Sequence, residues 1–185
     1  MRFKRILVVG AVLLGSLWVR AAEEIEIKGM DDAAYQMGDV SKPDRQAAGR
    51  KYLEKTLRSE SEAREKRLKA GLLLADRILR WPPNDWQASL KVIDQIVPLA
   101  ESDGEKAQIV ILKGKAFVMG KNPTAAADTL RAFLDLPGVK DVQVRAIVTM
   151  ELATVYSSNA RYGDTVSLLE QTITTLAPEL PVSDR

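Results

Sequence analysis

The 185-residue chain contains no cysteine and no histidine. Without cysteine there is no disulfide framework, so an exported protein of this kind must hold together by packing alone. Without histidine, a Ser-His-Asp triad, a Cys-His pair and an imidazole metal site are all excluded. Carboxylate and lysine chemistry survive that subtraction. A Gly-rich phosphate loop is missing too, because Gly114-Lys115 lacks the Walker spacing, and there is no Asp-rich calcium loop. Strand-like alternation is nearly absent: Glu24 to Lys28 alternates, and nothing after Ile27 repeats it. No cofactor and no metal are expected.

A long apolar run occurs once, at the start. Arg2, Lys4 and Arg5 precede the uncharged segment Ile6 to Val19, and the small-residue site Val19-Arg20-Ala21 follows. A positive head, an apolar stretch of about 7–15 residues and an A-x-A-like end make a secretory signal peptide, 1–21, with cleavage expected after Ala21. The alternative is an uncleaved anchor, although a span takes about 20 apolar residues and only fourteen lie between Arg5 and Arg20. The expected location is periplasmic or secreted. Removing 1–21 takes away four cations and no acid, which leaves 23 basic and 25 acidic residues. The basic balance of the full chain therefore belongs to the leader, and nucleic-acid binding is disfavoured.

Two zones follow. Residues 22–58 are polar and poorly periodic, and read as an extension, partly disordered or forming one helix near Arg50 to Lys55, with Pro43 able to start it. Residues 59–178 read as regular helices in pairs, about 59–101, 104–137 and 140–178. Ser59-x-x-Glu62 offers a capping box for the first helix, which buries Gly71, Leu74, Ala75, Ile78 and Leu79 before Pro82-Pro83 stops it. Trp86, Leu90, Ile93, Val97 and Ala100 form the stripe of the second. The third, about 105–119, is apolar nearly all round and should lie between neighbours. Gly120-Lys121-Asn122-Pro123 then supplies a stop and a start, with Gly at the left-handed C′ place, Asn as N-cap and Pro at the first helical position. The fourth helix ends at Pro137-Gly138, the fifth starts near Asp141, and the sixth carries Val166, Leu169, Ile173 and Leu176.

The last two pairs repeat each other. Gly114 precedes Phe117 by three, Ala126 by twelve and Leu130 by sixteen; Ala153 precedes Tyr156, Thr165 and Leu169 by the same steps. A small residue lets the second helix approach, and the aromatic one turn on fills the gap beside it. This pattern, closed by Pro137 and Pro178, resembles the tetratricopeptide repeat family. The likeness is best over Ala153, Tyr156, Ala160, Tyr162 and Leu169, good over the pair before, and loose over the first, where Pro82-Pro83 lengthens the turn. The early Trp and Leu of the family's first helix are missing from all three pairs. The offset from Gly114 to Ala153 is 39 residues, against about 34 in the family. The resemblance implies an all-α fold of antiparallel helix hairpins stacked as a short right-handed solenoid; a closed helical bundle is the alternative.

A solenoid of this kind presents a concave surface to peptides or protein segments. The resemblance implies that Gln108, Ile111, Lys115 and Met119 line it, with Ile147, Met150, Thr154 and Ser157 from the fifth helix; Ile111 and Ile147 read equally well as core. The charged segment Lys42 to Lys69 holds ten basic residues against five acidic. It reads as a solvated face with Glu60–Arg64 and Glu62–Lys66 pairs, or as a weak patch for an anionic surface. Tyr52 is the one aromatic residue within it, which argues further against nucleic acid. Asp76, Asp94, Asp128 and Glu151 all have polar neighbours in sequence and suggest no paired catalytic carboxylates. The reading is a non-enzymatic, exported scaffold that binds a protein partner in the bacterial cell envelope. Its alternatives are a self-associating bundle at the membrane surface, touching lipid through an uncleaved leader or the basic patch, and a carboxylate enzyme.

Overall fold

The structure, a computed structural model, describes residues 25–175, so the leader, Leu176 and Pro178 lie outside the described residues. It contains eight α-helices: α1 (Met30–Gly38), α2 (Pro43–Arg58), α3 (Arg64–Arg80), α4 (Trp86–Ile96), α5 (Asp103–Met119), α6 (Pro123–Leu134), α7 (Val142–Ser158) and α8 (Tyr162–Thr175). A single 3-10 turn, Val97–Leu99, extends α4. No strand occurs among the described residues, and Ile25 to Lys28 is irregular.

The helices form four antiparallel hairpins, α1/α2, α3/α4, α5/α6 and α7/α8. Each helix packs on the next, and each odd-numbered helix also packs on the odd-numbered helix that follows. Among the described residues, α1 and α8 do not pack on one another. The fold is therefore an all-α stack of neighbouring hairpins rather than a ring closed on one axis.

The core is continuous through α5. Its Ile109, Leu112 and Ala116 join a cluster built from α1 to α4, while Ala107, with half-buried Val110, Ile111 and Phe117, joins one built from α6 to α8. That is why α5 is apolar nearly all round: it has hairpins on both sides. Gly114, Ala126 and Ala153, the small residues of the repeat, are all buried.

Three local expectations are corrected. Residues 30–58 are not one loose helix but a complete hairpin, which adds Ala33, Met37, Leu53 and Leu57 to the core. Its pattern is faint because small residues make the contact. A Cβ on Gly49 would lie 2.3 Å from the Ala33 carbonyl oxygen. The first predicted helix begins at Arg64 rather than Ser59, and its N-cap, Ala63, makes no side-chain cap. The capping box sits instead at Ser102 and Glu105, where each side chain accepts the other's backbone N–H. Gly120 is not left-handed (φ −75°); Lys121 takes that conformation at φ 57°. Gly120 is small for another reason, since a Cβ there would meet the Trp86 ring at 2.8 Å. Asn122 does cap α6, accepting the Ala125 N–H at 3.0 Å.

The first three hairpins share one signature in their second helices. A buried small residue is followed four positions later by a large one: Gly49 and Leu53, Ser89 and Ile93, Ala126 and Leu130. Ser89 is polar yet fully buried because its hydroxyl donates to the Ala75 carbonyl at 3.0 Å.

Candidate binding groove

The odd-numbered helices line a groove of about 720 Å³ along the C-terminal halves of α3, α5 and α7. Leu79, Trp81, Ile111, Val118, Met119 and Val155 give it an apolar lining. Val118 and Met119 are 38% and 47% exposed, so the apolar surface is open to a ligand.

The charges in the groove neutralise one another. Arg80 Nε lies 2.7 Å from an Asp76 carboxylate oxygen, one helical turn away on α3. Lys115 Nζ on α5 lies 3.3 Å from Glu151 Oε1 on α7, bridging the two helices. Arg77 sits behind, its guanidinium carbon 4.2 Å from the Trp81 ring centroid, which fixes that ring. The hydroxyls are satisfied within their own helix: Thr154 Oγ1 donates to the Met150 carbonyl at 2.9 Å and Ser158 Oγ to Val155 at 3.1 Å. The groove thus combines a neutral rim with an adaptable apolar floor.

Of the eight residues expected in the groove, Ile111, Lys115, Met119 and Thr154 line it. Gln108 is exposed outside it, Ser157 is half-buried, and Ile147 and Met150 face solvent. The difference is rotational. On α7 the face turned towards α5 carries Glu151, Thr154, Val155 and Ser158, about one residue round from the expected set. Asp76, Leu79, Arg80 and Trp81 of α3 were missed, since the first pair matched the repeat poorly. The four-residue step from Arg77 to Trp81 was the available signal.

The basic segment is largely consumed by the fold. Arg64 Nη1 donates to the Leu99 carbonyl at 2.5 Å and to Glu105 at 3.0 Å, and its Nε lies 3.4 Å from Glu101. The expected Glu62–Lys66 pair is present at 2.7 Å; Arg64 turns to Glu105 instead of Glu60. Arg67 Nε donates to the Leu57 carbonyl at 3.1 Å, and Lys69 reaches Asp31 at 3.2 Å. Glu105 is held down to a pKa of about 2, first by the Glu101 and Ser102 backbone N–H groups and then by Arg64. A larger hollow, about 1290 Å³, lies between Ile25–Ile27 and the cationic face of α2 carrying Lys51 and Lys55. It is bounded by a single helix, whereas the groove is framed by three.

Among the described residues, no group of His, Cys, Asp or Glu is placed to hold a metal, and no helix is long and apolar enough to cross a membrane. Asp94 pairs with Lys113 at 3.4 Å. The fold and groove define a class, a stacked helical-hairpin protein with an open apolar channel. Comparison finds no matching family model, curated protein or solved structure, so the tetratricopeptide likeness rests on residue spacing alone.

Proposed function

We propose that the chain is an exported, tetratricopeptide-like interaction module, not an enzyme, and that the groove framed by α3, α5 and α7 receives a segment of a protein partner in the bacterial cell envelope. The observation that carries this reading is the exposed apolar floor at Val118 and Met119 beside charges that are already paired. A surface of that kind gains from burying apolar side chains and gives little to a highly charged ligand. An amphipathic helix or an apolar strand of another protein fits it.

A photo-crosslinking side chain placed at Met119 in the native host tests the reading, with a second probe at exposed Lys91 on α4 as reference. A discrete adduct at Met119 that is absent at Lys91 supports it. Equal labelling at both positions, or none at Met119, rejects it. Mass analysis of the exported protein reports whether its first residue is Ala22.

A further inference from the structure

The last helix exposes a face whose counterparts on the earlier second helices are buried. At the large-residue place of the second-helix signature, Leu53, Ile93 and Leu130 are 0%, 0% and 1% exposed, whereas Leu169 of α8 is 38% exposed. Each earlier second helix has a following hairpin against it; among the described residues α8 packs chiefly on α7, and none of its described residues is buried. Its half-buried residues, Thr165, Leu168 and Thr172, mark the α7 side. Beside them Tyr162, Val166, Leu169 and Ile173 run along the helix at steps of four, three and four, and all are exposed. That is heptad spacing, with β-branched Val166 and Ile173 at one seam position and Leu169 at the other. No charged residue interrupts it.

We propose that this stripe pairs with the same stripe of a second copy, antiparallel about a two-fold axis. In that register Val166 lies opposite Leu169 of the second copy and Tyr162 opposite Ile173, so each layer joins unlike, complementary side chains. On the flanks Glu170 then lies beside Gly163 and Thr165 beside Thr172 of the second copy, and no like charges meet. The helix dipoles also oppose each other. The four exposed side chains leave roughly 400 Å² per copy before any rim residue is counted, which places the pair below the roughly 1,200 Å² of stable interfaces and makes it weak and concentration-dependent. The pair displays two grooves, so a partner with two binding segments gains avidity. The inference is independent of what the groove binds, and a failed groove crosslink leaves it intact.

Sedimentation velocity of the purified chain, from about 1 to 500 µM, is expected to show the mass rising from one copy towards two. Val166→Glu and Ile173→Lys, both at exposed sites, hold it at one copy with helical circular dichroism unchanged. Because the chain has no cysteine, Val166→Cys mixed with Leu169→Cys gives a disulfide-linked pair in at least several-fold higher yield than either variant alone. A single-copy mass at every concentration overturns the proposal, as does association unaltered by Val166→Glu. Preferential Val166→Cys homodimers overturn the antiparallel register. Association that appears only after deletion of residues 176–185 shows that the chain's own C-terminal segment covers the face, and rejects the second copy.

Discussion

At the residue scale, three buried glycines sit at helix crossings but differ in need. A Cβ on Gly71 would lie 2.2 Å from Ile96 Cγ2 and 3.3 Å from Leu57 Cδ1, where α2, α3 and α4 meet. On Gly49 it would strike a backbone oxygen, which cannot move aside as a side-chain tip can. On Gly114 it would rest 3.4 Å from Leu130, an ordinary contact. The repeat spacing singles out Gly114, yet the tighter constraint lies at the two glycines outside the best-matched repeats. Gly71→Ala and Gly49→Ala are each expected to destabilise by about 1–3 kcal/mol through overpacking. Gly114→Ala is expected to be neutral or to stabilise by up to about 1 kcal/mol through helix propensity. Urea unfolding of the three variants measures the contrast, and equal losses at all three positions would contradict it.

At the element scale, the N-terminal hairpin and the Arg64 clip tie the stack together. Leu53 of α2 is fully buried in the cluster that α1 and α2 share with the following hairpin. Leu53→Ala is expected to cost about 2–5 kcal/mol and to lower the melting temperature of the entire protein in one transition. Were residues 22–58 a loose extension, the substitution would leave the melt unchanged. The clip gives a pH signature. The folded pKa of Glu105 is about 2 against a reference of 4.5, so its contribution to stability is full above the reference value and is lost as pH falls towards 2. The melting-temperature gap between wild type and Glu105→Gln should therefore stay constant above about pH 5 and shrink below it. A gap that widens on acidification contradicts the assignment. Helix breaks were legible here because they depend on local stereochemistry: Asp85 caps α4 through the Ala88 N–H at 2.9 Å, and Asp141 caps α7 through Val144 at 3.1 Å. The capping box at Ser102 leaves a weaker trace in the sequence, because Gly104 in the first turn of α5 interrupts the helical pattern just after it.

At the scale of the whole molecule, packing runs between neighbours and the two ends stay apart. Stability in such a stack is a sum of hairpin and interface terms, so it falls off where a neighbour is missing. Hydrogen exchange is expected to be slowest in α5 and α7, which carry buried residues along their whole length, and fastest in α8, which has none. Slow exchange in α8 at micromolar concentration would contradict the open end; slowing of α8 alone as concentration rises agrees with pairing through it. About half of the expected groove was legible. Ile111, Lys115 and Met119 follow from the repeat register on α5, whereas the rotation of α7 against α5 depends on Ala153, Glu151 and their neighbours packing together, which no local pattern encodes.

Local rules settled much of this protein. Apolar residues at helical steps, together with Pro82-Pro83, Asn122-Pro123 and Pro137-Gly138, dictate helices and the breaks between them, because capping and φ restrictions act within a few residues. The tertiary structure decided the rest: that residues 30–58 belong to the stack, that Arg64, Arg67 and Lys69 are spent on carbonyls and carboxylates of other elements, and which face of α7 meets the groove. Those outcomes hinge on which surfaces meet across long sequence separations, and close approach of small residues leaves little trace in hydrophobic periodicity.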